Sequence, residues 1–257
     1  MPLLEGKNAL IFGVANHRSI AWAIAQALAA EGARLALTYQ ERMEKFVREL
    51  AEKVPGTPLI PCDVQSDEQL DAAFAKAAEV FDGGLDILIH SIAFAPKEDM
   101  ENPFWQTSRQ GFLTALDISA YSLVAMARRA VPLMQARGGG SILTATYIAS
   151  ERVMPKYNVM AVAKAALECS VRYLAYELGA YNIRVNAVSP GPVNTLAARG
   201  VPGFTTMRDH MTEVAPLRRN IEQSEIGDAA LFLCSPLARA ITGEVLFVDA
   251  GYHIMGA

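Results

Sequence analysis

The stretch Asn8-Ala-Leu-Ile-Phe-Gly-Val-Ala-Asn-His-Arg-Ser-Ile-Ala21 decides the fold. Its first five residues form a short, mostly apolar run without strict polar alternation, as in a strand buried on both faces. Gly13 then opens a turn of small residues, with Ala15 and Ser19, and residues 20–31 follow at helical spacing. The same pattern recurs along the chain. Strand-like runs occupy 34–39, 59–62, 85–90, 141–145, 183–188 and 244–248. Helical patterns fill 41–53, 67–80, 108–137, 156–180 and 224–235. Repeated strand–helix–strand units predict one α/β domain over 1–257, a doubly wound seven-stranded parallel sheet with helices on both faces. Residues 194–219 carry no clear period. Structureless segments beyond about 12–15 residues are usually functional. This one follows the C-terminal end of a strand, where such sheets bind ligands. It reads as a substrate lid at about 195–220.

Composition narrows the field. Apolar residues make up 52% and charged residues 19% of the 257, which excludes a disordered chain. A net charge of −4 argues against nucleic-acid binding. Cys62, Cys169 and Cys234 are too widely spaced for a disulfide framework or a thiolate metal site, and the four histidines show no ligand spacing. No metal is expected, and the cysteines read as small buried thiols of a reducing compartment. The N-terminus lacks the pattern of a signal peptide, and no apolar stretch is long enough for membrane insertion. The expectation is a cytoplasmic protein.

The ends of successive strands outline a nucleotide crevice. Gly13, Ala15 and Ser19 let the backbone and a helix start approach a pyrophosphate, although an ordinary strand-to-helix turn also explains them. The second strand runs into Gln40-Glu41, whose carboxylate would repel a 2′-phosphate and so favours NADH; Arg42 keeps NADPH in play. Asp63 after the third strand can accept a hydrogen bond from an adenine amino group. His90-Ser91-Ile92-Ala93 after the fourth lets the chain pass close to a cofactor.

Beyond the fifth strand comes Tyr157-Asn-Val-Met-Ala-Val-Ala-Lys164. Seven residues in a helix turn through about 700°, so both side chains project from one face, roughly 10 Å apart along the axis. Lys164 can hold ribose hydroxyls and favour hydrogen-bond donation by Tyr157. Tyr147, just past the fifth strand, can face the same crevice.

With these motifs and Thr38-Tyr39-Gln40, Cys62-Asp63-Val64, Ser91-Ile92-Ala93-Phe94-Ala95-Pro96, Arg184-Val-Asn-Ala and Thr195-Leu-Ala, the chain resembles the short-chain dehydrogenase/reductase superfamily along nearly its whole length. Within it, the chain is similar to the bacterial NADH-dependent enoyl-(acyl carrier protein) reductases. The resemblance implies a Rossmann fold and reduction of the double bond of a trans-2-enoyl thioester in fatty acid biosynthesis. The superfamily's usual Tyr-x-x-x-Lys would put its tyrosine at position 160, where this chain has Met160. A tyrosine displaced to 157 suits an oxyanion on the thioester oxygen, two carbons beyond the carbon that takes the hydride. A reductase of ketones, or a catalytically dead sensor, would be expected to keep a tyrosine at 160 or to lose Tyr157 or Lys164.

By resemblance, Gly13, Ser19 and Ile20 line the pyrophosphate, Gln40 the adenosine ribose, and Asp63 with Val64 the adenine. Ser91 and Ile92 lie by the cofactor, Lys164 grips the nicotinamide ribose, and Val193, Thr195 and Ala197 cover the nicotinamide and phosphates. Tyr157 stabilises the enolate, with Tyr147 as a second active-site tyrosine. Ala95, Met160 and Phe204 line the substrate site together with both tyrosines. The family is usually a homotetramer, and the 162–174 helix face and the 245–257 segment are candidate interface parts.

The proposed lid carries Leu196, Val201, Phe204, Met207 and Met211, an adaptable lining for an acyl chain. Arg199, Arg208, Arg218 and Arg219 against Asp209 and Glu213 give it a local formal charge of +2. That charge fits an acidic acyl carrier protein as partner.

Overall fold

The computed structural model describes residues 2–195, 198 and 204–256. Seven strands form one parallel sheet in the order β3-β2-β1-β4-β5-β6-β7. They are β1 (Asn8–Phe12), β2 (Arg34–Tyr39), β3 (Leu59–Pro61), β4 (Ile87–His90), β5 (Gly140–Ala145), β6 (Ile183–Pro190) and β7 (Val245–Val248). The alternation of side chains explains why the inner strands need no polar face. In β1, Ala9 and Ile11 join one apolar cluster, while Leu10 and Phe12 join the cluster on the opposite face. In β4, Ile87 and Ile89 likewise face one way and Leu88 the other.

On the first face lie α1 (Ile20–Ala30), α2 (Glu44–Ala51) and α9 (Gln223–Cys234). On the second lie α3 (Asp67–Val80), α6 (Ser122–Gln135) and α7 (Asn158–Leu178). Local chemistry sets several of their starts. Ser66 caps α3 by accepting from the Gln69 amide, and Glu222 and Glu225 form a capping box on α9. The turn before β5 passes through Gly138 and Gly139, both at positive φ, with amides donating to Gln135 and Met134 carbonyls.

The chain reverses direction across the sheet between β1 and β4. This switch point opens a crevice at the C-terminal strand ends.

Three sequence expectations change. The helix read over 108–137 is three pieces: α5 (Arg109–Leu116), a π-turn (Asp117–Tyr121) and α6. Apolar spacing runs through the whole stretch, so periodicity cannot reveal the one widened turn. Two short helical segments precede it, α4 (Lys97–Glu101) and a 3-10 turn at Phe104–Gln106. The segment read as aperiodic contains α8 (Phe204–Val214). Finally, Cys169 is exposed, unlike buried Cys62 and Cys234, because it lies on the outer face of α7. No helix among the described residues is long and apolar enough to cross a membrane.

Candidate active site

Gly13 ends β1 at φ +104, and a Cβ there would stand 2.0 Å from the Ser91 carbonyl oxygen. Only glycine permits this contact between the β1 and β4 exits. Beyond it, the Ser19 hydroxyl accepts from the amides of Ala15 and Asn16, at 2.9 and 3.0 Å, and curls the loop over the start of α1. No side-chain hydrogen bond caps the start of α1, while the Trp22 and Ala23 amides donate to the Ser19 carbonyl. Ile20 is half-buried there. Gln40 is exposed at the β2 exit, its side-chain oxygen accepting from Arg42 Nε and Nη2 at 3.1 and 2.8 Å. After β3, Asp63 and Val64 are half-buried; one Asp63 carboxylate oxygen accepts from the Gln65 amide. After β4, Ser91 and Ile92 are half-buried, and the Ser91 amide bonds the Phe12 carbonyl. Val193 is buried and Thr195 half-buried beyond β6. A glycine-tight turn, an uncapped helix start and a polar β2 exit fit a nicotinamide dinucleotide lying across the switch point. Ala197 lies outside the described residues, as do the Phe204 side chain, Leu196, Arg199, Val201 and the Met207 side chain.

Tyr147, Tyr157 and Lys164 converge on the end of β5. The Lys164 ammonium, 4% exposed, donates to the Ala145 carbonyl at 2.7 Å. The rings of Tyr147 and Tyr157 meet at 4.9 Å between centroids, tilted by 53°. This convergence differs from that of two side chains on one uninterrupted helix. Tyr157 lies just outside α7, and Asn158 has φ +40, so the seven-residue spacing is not continuous helix. Asn158 is held there by its amide, which donates to the Met100 and Asn102 carbonyls at 3.1 and 2.7 Å. That anchor aims Tyr157 at Tyr147.

Met160 is buried with Met100, Ala115, Val159 and Ala163, against Ala95 and Tyr157. Ala95 belongs to a loop gripped by the π-turn: the Ser119 hydroxyl accepts from the Phe94 amide at 2.9 Å and donates to its carbonyl at 3.1 Å. Below this loop His90 is fully buried between Thr144 and Ser122. The Ser122 hydroxyl donates to the Ile118 carbonyl, so His90 Nε2 carries the proton and Nδ1 accepts from Thr144. Ser119, His90 and Asn158 escape sequence reasoning because each acts through partners at least 25 residues away. The positive φ and the π-turn leave no periodic trace.

Burial sets the electrostatics. Desolvation, then the neighbouring phenol of Tyr157, pushes the Tyr147 hydroxyl well above the usual tyrosine range. Desolvation does the same to Tyr157. It pulls Lys164 down to about 8, against the opposing pull of Glu168. It holds His90 down at about 3, helped by Lys164, so His90 is neutral at working pH. Among the described residues no group of three or more His, Cys, Asp or Glu side chains could hold a metal.

The lid's polar and apolar groups divide. Met211 is buried against Gly191 in the core rather than facing a pocket. Arg219 is bound bidentately by Glu225, at 2.6 and 2.8 Å, and is lost to the proposed basic patch. Arg218 is exposed, whereas Arg208 is half-buried with its Nε shielded from solvent.

A parallel doubly wound sheet with a Tyr/Lys pair beside its switch point defines an oxidoreductase of the short-chain dehydrogenase/reductase class. The family model described as enoyl-(acyl carrier protein) reductase matches residues 13–253, and the chain belongs to that family. It is 54% identical to the enoyl-(acyl carrier protein) reductase (NADH) FabI of Nostoc sp. over 98% of each chain. It superposes with a TM-score of 0.96 on the Bacillus cereus enoyl-acyl carrier protein reductase solved with NADP+ and an indole naphthyridinone, at 51% identity over 100% of both chains. The TM-score is 0.95 against the Anaplasma phagocytophilum reductase solved with NAD, at 47% identity over 99% of this chain and 97% of that one.

Proposed function

We propose that this chain reduces the carbon–carbon double bond of trans-2-enoyl thioesters carried on acyl carrier protein, in fatty acid elongation, and that Tyr157 and Lys164 carry the reaction. The carrying observation is that Tyr147, Tyr157 and Lys164 converge on the β5 exit while Met160 occupies the position of a carbonyl reductase's tyrosine. NADH, when bound, supplies the hydride that adds to the β-carbon. Negative charge then develops on the thioester oxygen. Tyr157 donates a hydrogen bond to that oxygen, a stabilisation realised only as the charge develops. Its raised pKa keeps the hydroxyl protonated through the neutral range, so it donates without being consumed as an acid, and the enolate takes its α-carbon proton from water. Lys164 presents its ammonium to the nicotinamide ribose, steadied by the Ala145 carbonyl. The Tyr147 ring packs at a tilt against Tyr157 and restricts it.

Gly13, Ser19 and Ile20 receive the pyrophosphate, Gln40 the adenosine ribose, Asp63 and Val64 the adenine, and Ser91, Ile92, Val193, Thr195 and Ala197 the nicotinamide half. Ala95, Met160 and Phe204 line the acyl site beneath a lid at about 195–220. The Glu41 carboxylate beside Gln40 favours NADH over NADPH. Arg208 and Arg218, with Arg199, offer an acidic carrier protein its docking charge. The single α/β domain assembles as a homotetramer in the cytoplasm, a setting that free Cys62, Cys169 and Cys234 suit.

The test follows NADH absorbance with a trans-2-enoyl thioester in wild type and Tyr157→Phe. Turnover by wild type and a loss of roughly 100-fold in kcat for the variant are expected, the scale of removing one oxyanion donor. No turnover by wild type overturns the reaction; full activity in Tyr157→Phe overturns the mechanism.

A further inference from the structure

Four residues beyond Lys164, on the same face of α7, stands Glu168, a carboxylate only 5% exposed. A buried carboxylate is costly unless it is paired. No ion pair to Glu168 closes within 4.0 Å among the described residues. Its hydrogen bond comes instead from the Thr146 hydroxyl, at 2.5 Å. Thr146 is itself buried, and its amide bonds the Val188 carbonyl of β6. The chain leaving β5 is thus held at two successive residues by one helix: Ala145 by Lys164 and Thr146 by Glu168. The next residue is Tyr147, whose ring rests on Tyr157.

We propose that Glu168 is a positioning residue of the reductase, the buried counter-charge of Lys164 and, through Thr146, the anchor that sets Tyr147. The other groups around α7 leave this role to it. His90 of β4 reaches Lys164 only as a neutral ring. Tyr147 and Tyr157 are neutral phenols. On α4, Asp99 is spent on the Ser108 amide and hydroxyl, and on α6 Arg129 is spent on Asp67 and Asp71. Asp117 of the π-turn is half-buried. Glu168 is the charge that acts on the Lys164 ammonium, opposing the effect of burial. Both features serve one purpose, a buried lysine that stays charged and pointed at β5.

The experiment compares Glu168→Gln, Glu168→Asp and wild type by kcat/KM for NADH from pH 6 to 10, with NADH affinity by fluorescence. Glutamine keeps an acceptor for Thr146 and removes the charge. Its alkaline limb is expected to move down by about one pH unit, so that activity falls about fivefold at pH 8, approaches a tenfold loss by about pH 9 and stays within about threefold of wild type at pH 6. Aspartate keeps the charge and is expected to retain activity on the acid side. A limb unmoved in Glu168→Gln, or a loss equal at every pH, overturns the proposal, since a merely structural role would lower activity uniformly. If Glu168→Gln does not fold, Glu168→Asp decides: acid-side activity preserved supports the proposal, and a pH-independent loss overturns it. The inference rests on Lys164 holding the cofactor. A wild-type profile flat to pH 10 would sink that assignment, whereas a wild-type limb that does not move in Glu168→Gln sinks only the role of Glu168.

Discussion

Gly13 shows how one residue can fix the crevice. Its φ of +104 is a conformation that side chains rarely adopt, and the space for a Cβ is already filled by the Ser91 carbonyl. Backbone cannot swing aside as a flexible side chain would. Gly13→Ala is expected to cost about 1–3 kcal/mol. At about 2–4 °C per kcal/mol for a chain of this size, the melting midpoint falls by several degrees. NADH binding weakens as well, because the β1 and β4 exits are forced apart; calorimetry of both quantities checks the outcome, and an unchanged NADH affinity would detach Gly13 from the cofactor. Gly13 was legible in the sequence because the strand before it and the helix after it are local signals. So were Tyr157 and Lys164, although the route by which they converge was not. The seven-residue spacing reads as continuous helix, whereas Asn158 at φ +40 does the aiming. Glu168 reads in the sequence as one more charged residue on a helix. Its burial goes with the Thr146 hydroxyl that reaches it from the end of β5, a tertiary fact with no local signature.

At the scale of elements, the strands were the most legible part. Runs covered on both faces are mostly apolar, and all seven strands fall within two residues of their predicted bounds at each end. The π-turn was the least legible, since it changes the hydrogen-bond step without changing the apolar pattern. It has a use. By widening one turn between α5 and α6 it brings the Ser119 hydroxyl to both backbone groups of Phe94, beside Ala95 and Met160. Removing that hydroxyl costs about 0.5–1.5 kcal/mol per net hydrogen bond. Ser119→Ala is therefore expected to raise KM for the enoyl thioester by about 3- to 10-fold and leave NADH affinity unchanged. Steady-state kinetics separate the two. A KM equal to that of wild type would show that the π-turn does not shape the substrate loop.

At the scale of the molecule, the sheet has two edges that are blunted differently. β3 is three residues long and ends in Pro61, which cannot donate to another strand. β7 has four apolar residues, all half-buried, and no such guard. The chain then folds back: Asp249 accepts from the Gly251 and His253 amides, and Arg152 donates to the carbonyls of His253 and Met255. This ties the tail to the loop that follows Tyr147. On α7 the expected interface face of 162–174 divides. Leu167, Val171 and Leu174 belong to the core, while Tyr173 and Tyr176, 68% and 87% exposed, point outward with Cys169. Leu113, Tyr121 and Val124 extend the exposed apolar surface along α5, the π-turn and α6. An area of this kind is costly to leave in water and is well suited to a second copy of the chain. Placing two carboxylates there, as Tyr173→Glu with Tyr176→Glu, sets like charges against each other across a two-fold contact. Sedimentation analysis is expected to show wild type as a tetramer and the double variant as smaller species, with a melting midpoint that now depends on protein concentration. A tetramer mass retained by the double variant would move the interface away from α7 and leave the β7 edge as the surface to test.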